Sequence, residues 1–141
     1  MLVITAINLR ETISNILKGH IGTYTFSSGA TALAIAILPD TKHGYSYPPT
    51  GTKVQGIEVV IIRPTPTTSL RLTGYASRLT WQIYLKQWDK SKNLVQVTEV
   101  LVQGLNKLGY AFESPIHVLP NERTGGIESV RVGVYEYSYT S

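Results

Sequence analysis

Ala6, Leu9, Ile13, Ile16 and Leu17 recur at the three- and four-residue spacing that gathers them on one helical stripe, with Arg10, Glu11, Asn15 and Lys18 opposite. The spacing predicts a first helix over about residues 5–18, with Thr5 as N-cap and Gly19 as the C-terminal stop. From Ile21 the pattern turns to strand chemistry, first in Tyr24, Thr25 and Phe26. Residues 31–38 then alternate, with Leu33, Ile35 and Ile37 on one side and Ala32, Ala34 and Ala36 on the other. Both sides are apolar, so one strand covered on both faces is expected. Its alanine side leaves room for a helix or a second layer to approach.

Residues 39–56 lose all hydrophobic period and contain Lys42, His43, Tyr45, Tyr47, Pro48, Pro49 and Gly51. A stretch of that length is long for a loop inside a compact domain. Tyrosines flanked by prolines favour an arm that orders against something; a merely mobile loop is the alternative. Ile57 to Ile62 is a β-branched strand, and Arg63, Pro64, Thr65 and Pro66 end it, because prolines two apart do not fit a central strand. Residues 71–77 are ambiguous. Residues 78–87 form the cleanest strand, Leu79, Trp81, Ile83 and Leu85 facing inward and Arg78, Thr80, Gln82, Tyr84 and Lys86 outward.

A second helix is expected to about Leu108, capped by Ser91 or Asn93 and stopped by Gly109. Leu94, Val97, Leu101, Leu105 and Leu108 form its apolar stripe, with Gly104 in that stripe for close approach to the sheet. Gln96, Glu99, Gln103 and Lys107 form its wet side. A short strand at 116–119 and a turn at 120–126 precede a last strand over 127–139. There Val130, Val132 and Val134 share one face, and Arg131, Gly133, Tyr135, Tyr137 and Tyr139 share the other. The order of elements does not alternate strand with helix, which argues against a doubly wound parallel sheet. It predicts one α+β domain over residues 1–141: a mostly antiparallel sheet, two helices packed on one face, and a long arm loop at about 39–56.

Composition changes this picture in two ways. Zero cysteines exclude a disulfide scaffold, a zinc–thiolate site and a thiol nucleophile. Charged residues make up 16% of the chain, below the roughly 25% usual for soluble domains. That points to surface shared with partners, or else to a Thr/Ser/Tyr-rich monomer. The net charge of +4 is unevenly placed. Residues 59–88 hold no carboxylate but carry Arg63, Arg71, Arg78 and Lys86. The first four residues are apolar but soon give way to Asn8, Arg10 and Glu11, so no signal peptide is expected. No apolar run nears the length of a membrane span. A soluble protein made in a cytoplasm is the expectation.

Catalytic chemistry finds little support. His20, His43 and His117 fall in separate segments without metal-binding spacing, and Asp40 and Asp89 are the only aspartates. Gly125 and Gly126 lack a phosphate-cradle pattern, and Ser27-Ser28-Gly29 reads as a hairpin turn, not a nucleophile elbow. No catalysis, cofactor or metal is expected. Arg78, Tyr84 and Lys86 on one strand face are the raw material of a single-strand nucleic-acid surface, but they are sparse. The row Tyr135, Tyr137, Tyr139, opposite a buried valine face, tilts towards a protein interface.

The whole layout resembles the tail terminator and neck (head–tail joining) proteins of long-tailed bacteriophages. It has an amino-terminal helix, strands with an intervening arm, the run Leu79-x-Trp81-x-Ile83-x-Leu85-x-Gln87-Trp88, the 94–108 helix, and a last strand with Val134-Tyr135-Glu136-Tyr137. The resemblance spans nearly the whole chain but lies in layout, not in a diagnostic motif. It implies a structural virion subunit of the tail neck, assembled in the host cytoplasm as a homo-oligomeric ring, usually a hexamer. Such a ring caps the tail tube, stops its polymerisation, and meets the head connector and, in contractile tails, the sheath. Genome DNA passes through its lumen without sequence recognition. On this reading Tyr45 and Tyr47 on the arm reach a neighbour, and Trp88 and Arg123 shape a rim. Arg63, Arg71, Arg78 and Lys86, with the three terminal tyrosines, complete the expected interface set. The rivals are another neck ring (head completion or connector adaptor), a nucleic-acid-binding module, and a small enzyme drawing on the dispersed histidines and aspartates.

Overall fold

The computed structural model describes residues 5–38, 45, 48–64, 68–71, 74–88, 93–113, 117–120 and 127–140, with backbone alone for 68–71, 74–79, 117–120, 127–128 and 136–140. Helix α1 runs Ala6–Leu17, and Thr5 caps it by accepting a 3.2 Å hydrogen bond at Oγ1 from the Asn8 amide. Ala6, Leu9, Ile13 and Leu17 are buried, as their spacing requires. The stop differs from expectation. Lys18 takes the positive φ of 48° and a 3-10 turn, Lys18–His20, follows, so Gly19 is not the residue that ends the helix. Helix α2 runs Leu94–Lys107, and Asn93 Oδ1 accepts from the Gln96 amide at 3.2 Å, which makes Asn93 the cap. Leu108 is off the stripe at 56% exposed, because the helix has already ended.

The strands are β1 Thr23–Thr25, β2 Thr31–Leu33, β3 Ile35–Leu38, β4 Lys53–Gln55, β5 Ile57–Ile62, β6 Thr68–Arg71, β7 Gly74–Gln87, β8 Ala111–Phe112, β9 His117–Pro120 and β10 Ile127–Thr140. A small sheet has the order β2-β1-β4. A seven-stranded sheet has the order β3-β5-β7-β10-β8, with β6 added to β7 and β9 to β10. The fold is α+β and mostly antiparallel, as expected. The ambiguous stretch 71–77 resolves into the β6–β7 hairpin, and β7 starts at Gly74, before the expected Arg78.

Two expectations need correction, and they have one cause. The single strand read over 31–38 breaks at Ala34 into β2 and β3, which belong to different sheets. Likewise β4 passes through Gly56, with φ +79°, into β5. Beyond those breaks β3 and β5 pair in parallel; before them the two paths diverge and β1 fits between β2 and β4, antiparallel to both. The result is a fork with β1 as a wedge. Gly22 sits at its crotch, donating to Ile57 O at 2.8 Å and accepting from Ala34 N at 3.0 Å. A parallel pair also explains the length of 39–52: the chain must return to the starting end of the sheet, and such crossovers need a dozen residues or more. Within the expected arm at 39–56, residues 53–55 form β4 instead of a loop. Residues 39–44, 46 and 47 lie outside the described set.

The helices pack together on one face of the large sheet. Ile35, Ile37, Val59, Ile61, Trp81, Ile83, Leu85, Val130, Val132 and Val134 form a continuous core with Leu9, Ile13, Leu101 and Leu105. Gly104 serves the contact between helices, not the contact with the sheet: a Cβ there would lie 2.5 Å from Ile16 Cγ2. Ile16 is β-branched and has one preferred rotamer in a helix, so it yields poorly. Gly104→Ala should therefore lower stability in urea by a net 1 kcal/mol or so, overpacking exceeding the ~1 kcal/mol gain in helix propensity. In an Ile16→Ala background the same change should become stabilising. If it costs the same in both backgrounds, Ile16 is not what Gly104 accommodates.

Candidate functional site

The face of the large sheet opposite the helices is the candidate surface. Residues paired directly across antiparallel strands share a face. The register sets Lys86 against Ser129, Tyr84 against Arg131, Gln82 against Gly133, and Thr80 against Tyr135. It continues without a break through Arg78 with Tyr137 and Ala76 with Tyr139. Arg71 pairs with Gly74 at the end of the same strand. The fold thus brings Arg71, Arg78, Lys86, Tyr135, Tyr137 and Tyr139 to register positions on one face. Thr80, Gln82, Tyr84, Lys86, Arg131 and Tyr135 are half-buried there, while the side chains of Arg71, Arg78, Tyr137 and Tyr139 lie outside the described set.

Other candidates go elsewhere. Tyr45 turns back on its own chain: the Arg10 guanidinium stacks 3.9 Å from its ring centroid, and its carbonyl accepts from Ile37 N at 2.8 Å. It closes the crossover onto α1 and the β3 edge, and does not extend away from the body. Arg63 continues β5, its amide donating to Leu38 O at 2.8 Å. Tyr47 and Arg123 fall outside the described residues, as do His43, Asp40 and Asp89. His20 is half-buried in the 3-10 turn, and His117 is placed by backbone pairing with Arg131 alone. Ser27-Ser28-Gly29 is the β1–β2 turn, with Gly29 at φ +89°.

One group was missed by the sequence reading. Glu58 is fully buried although it stands in the β-branched run of β5. Its register partner is Lys86, which puts it on the helix-free side of the sheet, beside the fork. The Tyr24 hydroxyl donates to Glu58 Oε2, and Trp88 Nε1 donates to Oε1 at 3.1 Å. The Lys86 ammonium lies 4.3 Å from the Trp88 ring centroid. Both carboxylate oxygens are occupied and no surface of the residue is exposed. The group is therefore a clamp between the wedge strand, β5 and the end of β7, with no opening for a substrate. Trp88 keeps 45% of its surface exposed and covers the site. The available signal was a lone carboxylate in an otherwise apolar six-residue strand, which folds only if it is partnered.

Among the described residues no group of three or more His, Cys, Asp or Glu side chains could hold a metal ion. No described helix is long and apolar enough to cross a membrane. Known protein families, curated proteins and solved structures were compared with the chain, and none matches it.

Proposed function

We propose that this chain is a structural subunit of a bacteriophage tail neck, a tail terminator that forms a ring, hexameric by analogy. The ring caps the tail tube, stops its polymerisation and joins it to the head connector. The observation that carries the reading is the long polar and aromatic face of β7 and β10, backed by an apolar core on its other side. The buried carboxylate of Glu58 supports it too, since both its oxygens accept internal hydrogen bonds. Function would then reside in shape: a subunit that docks on copies of itself, on the tube and on the connector, and on the sheath if the tail contracts. The basic positions of β6 and β7 suit a ring through which DNA passes without being read.

The test is native mass by light scattering, with negative-stain images, followed by mixing with tubes assembled from purified tail-tube protein. The expected result is a discrete ring, or a monomer–ring equilibrium that moves with concentration, together with tubes that stop growing and carry density at one end. A strict monomer that neither binds tubes nor limits their length overturns the proposal. A monomer that retains DNA at physiological salt, with affinity falling steeply as salt rises, would replace it with a nucleic-acid-binding module.

A further inference from the structure

The two sheets meet along a crease. The pairs of Thr23 with Leu33 and of Thr23 with Gln55 each continue by one residue, which sets Gly22 level with Ala34 on one side and with Gly56 on the other. The chain passes between the sheets at these three positions, and each is glycine or alanine. Gly22 lies against the backbone of Gln55 and Ile57 with no room for a side chain, and Gly56 has φ +79°. A short row of small residues at the ends of elements, with little side chain to unpack, is the usual make-up of a hinge.

Beyond the crease the small sheet is lightly held. Among the described residues no strand of the large sheet pairs with β1, β2 or β4. The strand β2 is exposed along its length, β4 is exposed except at half-buried Val54, and Tyr24 is the one buried residue of the three strands. Phe26 and Val54 rest on the core while half-buried. The Tyr24 hydroxyl reaches across the crease to Glu58 Oε2, and Glu58 is tied to the body through Trp88 Nε1.

We infer that the small sheet is a hinged flap, turning about Gly22, Ala34 and Gly56 and latched by Tyr24 on Glu58, whether or not the chain forms a ring. Closed, the flap seals the Glu58 carboxylate. Open, it carries Tyr24 away and lets water reach that carboxylate beside Lys86 and Trp88. The motion gives up the burial of Tyr24 and the lesser contacts of Phe26 and Val54, while the core between the large sheet and the helices stays whole. A unit with so little buried surface opens at lower free energy than the core strands. Once detached, three strands of three residues each hold their pairing only marginally, so their amides exchange with solvent on opening.

Native-state hydrogen exchange, read amide by amide at low urea, is the test. In the unaltered protein the amides of β1, β2 and β4 are expected to exchange faster than those of β5, β7 and β10. Their rates should depend little on urea, since opening exposes little surface. Ile16→Ala loosens the contact between the helices, which is the same with the flap open or closed. It should therefore speed the core amides and leave those of the small sheet unchanged. Tyr24→Phe removes the donor to Glu58 and should speed the small sheet about tenfold or more. If Ile16→Ala speeds both sets by the same factor, the sheets open only together and the flap is overturned. Tyr24→Phe without effect on the small sheet would remove the latch, and the proposal with it.

Discussion

Gly22→Ala is expected to cost about 3–5 kcal/mol, a large part of the ~5–15 kcal/mol that holds a domain of this kind together. A Cβ at Gly22 would stand 1.9 Å from Gln55 O and 2.8 Å from Ile57 N, and both are backbone atoms that cannot rotate aside. Relief requires β4 and β5 to move away from the wedge. That breaks the 2.8 Å bond from Gly22 N to Ile57 O and then the 3.0 Å bond from Ala34 N to Gly22 O. The change should lower Tm by about 10 °C or more, at several degrees per kcal/mol for a chain of this size. Gly19→Ala is the control, since nothing lies within 4 Å of a Cβ at Gly19; it should stay within about 0.5 kcal/mol of the parent. If Gly22→Ala unfolds with the parent's urea midpoint, the strands do not fork at that residue.

Glu58→Ala is the second large effect, again about 3–5 kcal/mol. It removes a buried side chain and leaves the Tyr24 hydroxyl without its acceptor, at roughly 1–3 kcal/mol for the unpaired group, to which the cavity adds. Trp88 suffers less, because at 45% exposed its indole N–H can turn to water. Two comparisons separate polarity from shape. Glu58→Gln keeps the volume and one good acceptor and should cost about 1–2 kcal/mol. Glu58→Met combined with Tyr24→Phe removes both buried polar partners, and replacing such a set by apolar groups of like size is often close to neutral. The double variant should therefore be more stable than Glu58→Ala, read from urea unfolding followed by tryptophan emission. A double variant as unstable as Glu58→Ala would mean that the hydrogen bonds, and not the burial of unpaired groups, account for the loss.

The helices were legible because one physical rule governs them: a stripe at 3.6-residue spacing has a single buried side, and Leu9, Ile13, Leu101 and Leu105 obey it. Ile57 to Ile62 and the Trp81–Leu85 alternation were legible for the corresponding reason in strands. The break at Ala34 was not. Side-chain alternation continues through a bend, so residues 31–38 show one period whether they serve one sheet or two. Only the company of β1, brought from another part of the chain, decides. The same holds for β4, at the end of the expected arm, which forms only by pairing with β1. Tyr45 was read as reaching outward from its proline-rich setting, but the setting says nothing about Arg10, which holds it. Glu58 could be noticed in sequence; its partners Tyr24 and Trp88 could not. The open face was half legible, since the tyrosine row and the basic positions of the 78–87 strand were each visible. Their meeting on one surface depends on the β7–β10 register, a long-range fact.

That register also sets the tempo at which the chain can fold. β10 is central in the large sheet, between β7 and the short strands β8 and β9, yet Lys86 finds its partner at Ser129 and Tyr75 finds its partner only at Thr140. Closing so long a loop is entropically costly before any contact rewards it, so non-local sheets collapse late, over milliseconds to seconds. The β6–β7 hairpin and the two helices can form locally in the meantime. During that interval one edge of β7 and the apolar surface that Val130, Val132 and Val134 later complete remain open to other chains. Refolding yield should therefore fall as concentration rises, and the variants most prone to aggregate should be those that delay the docking of β10, whatever their final stability.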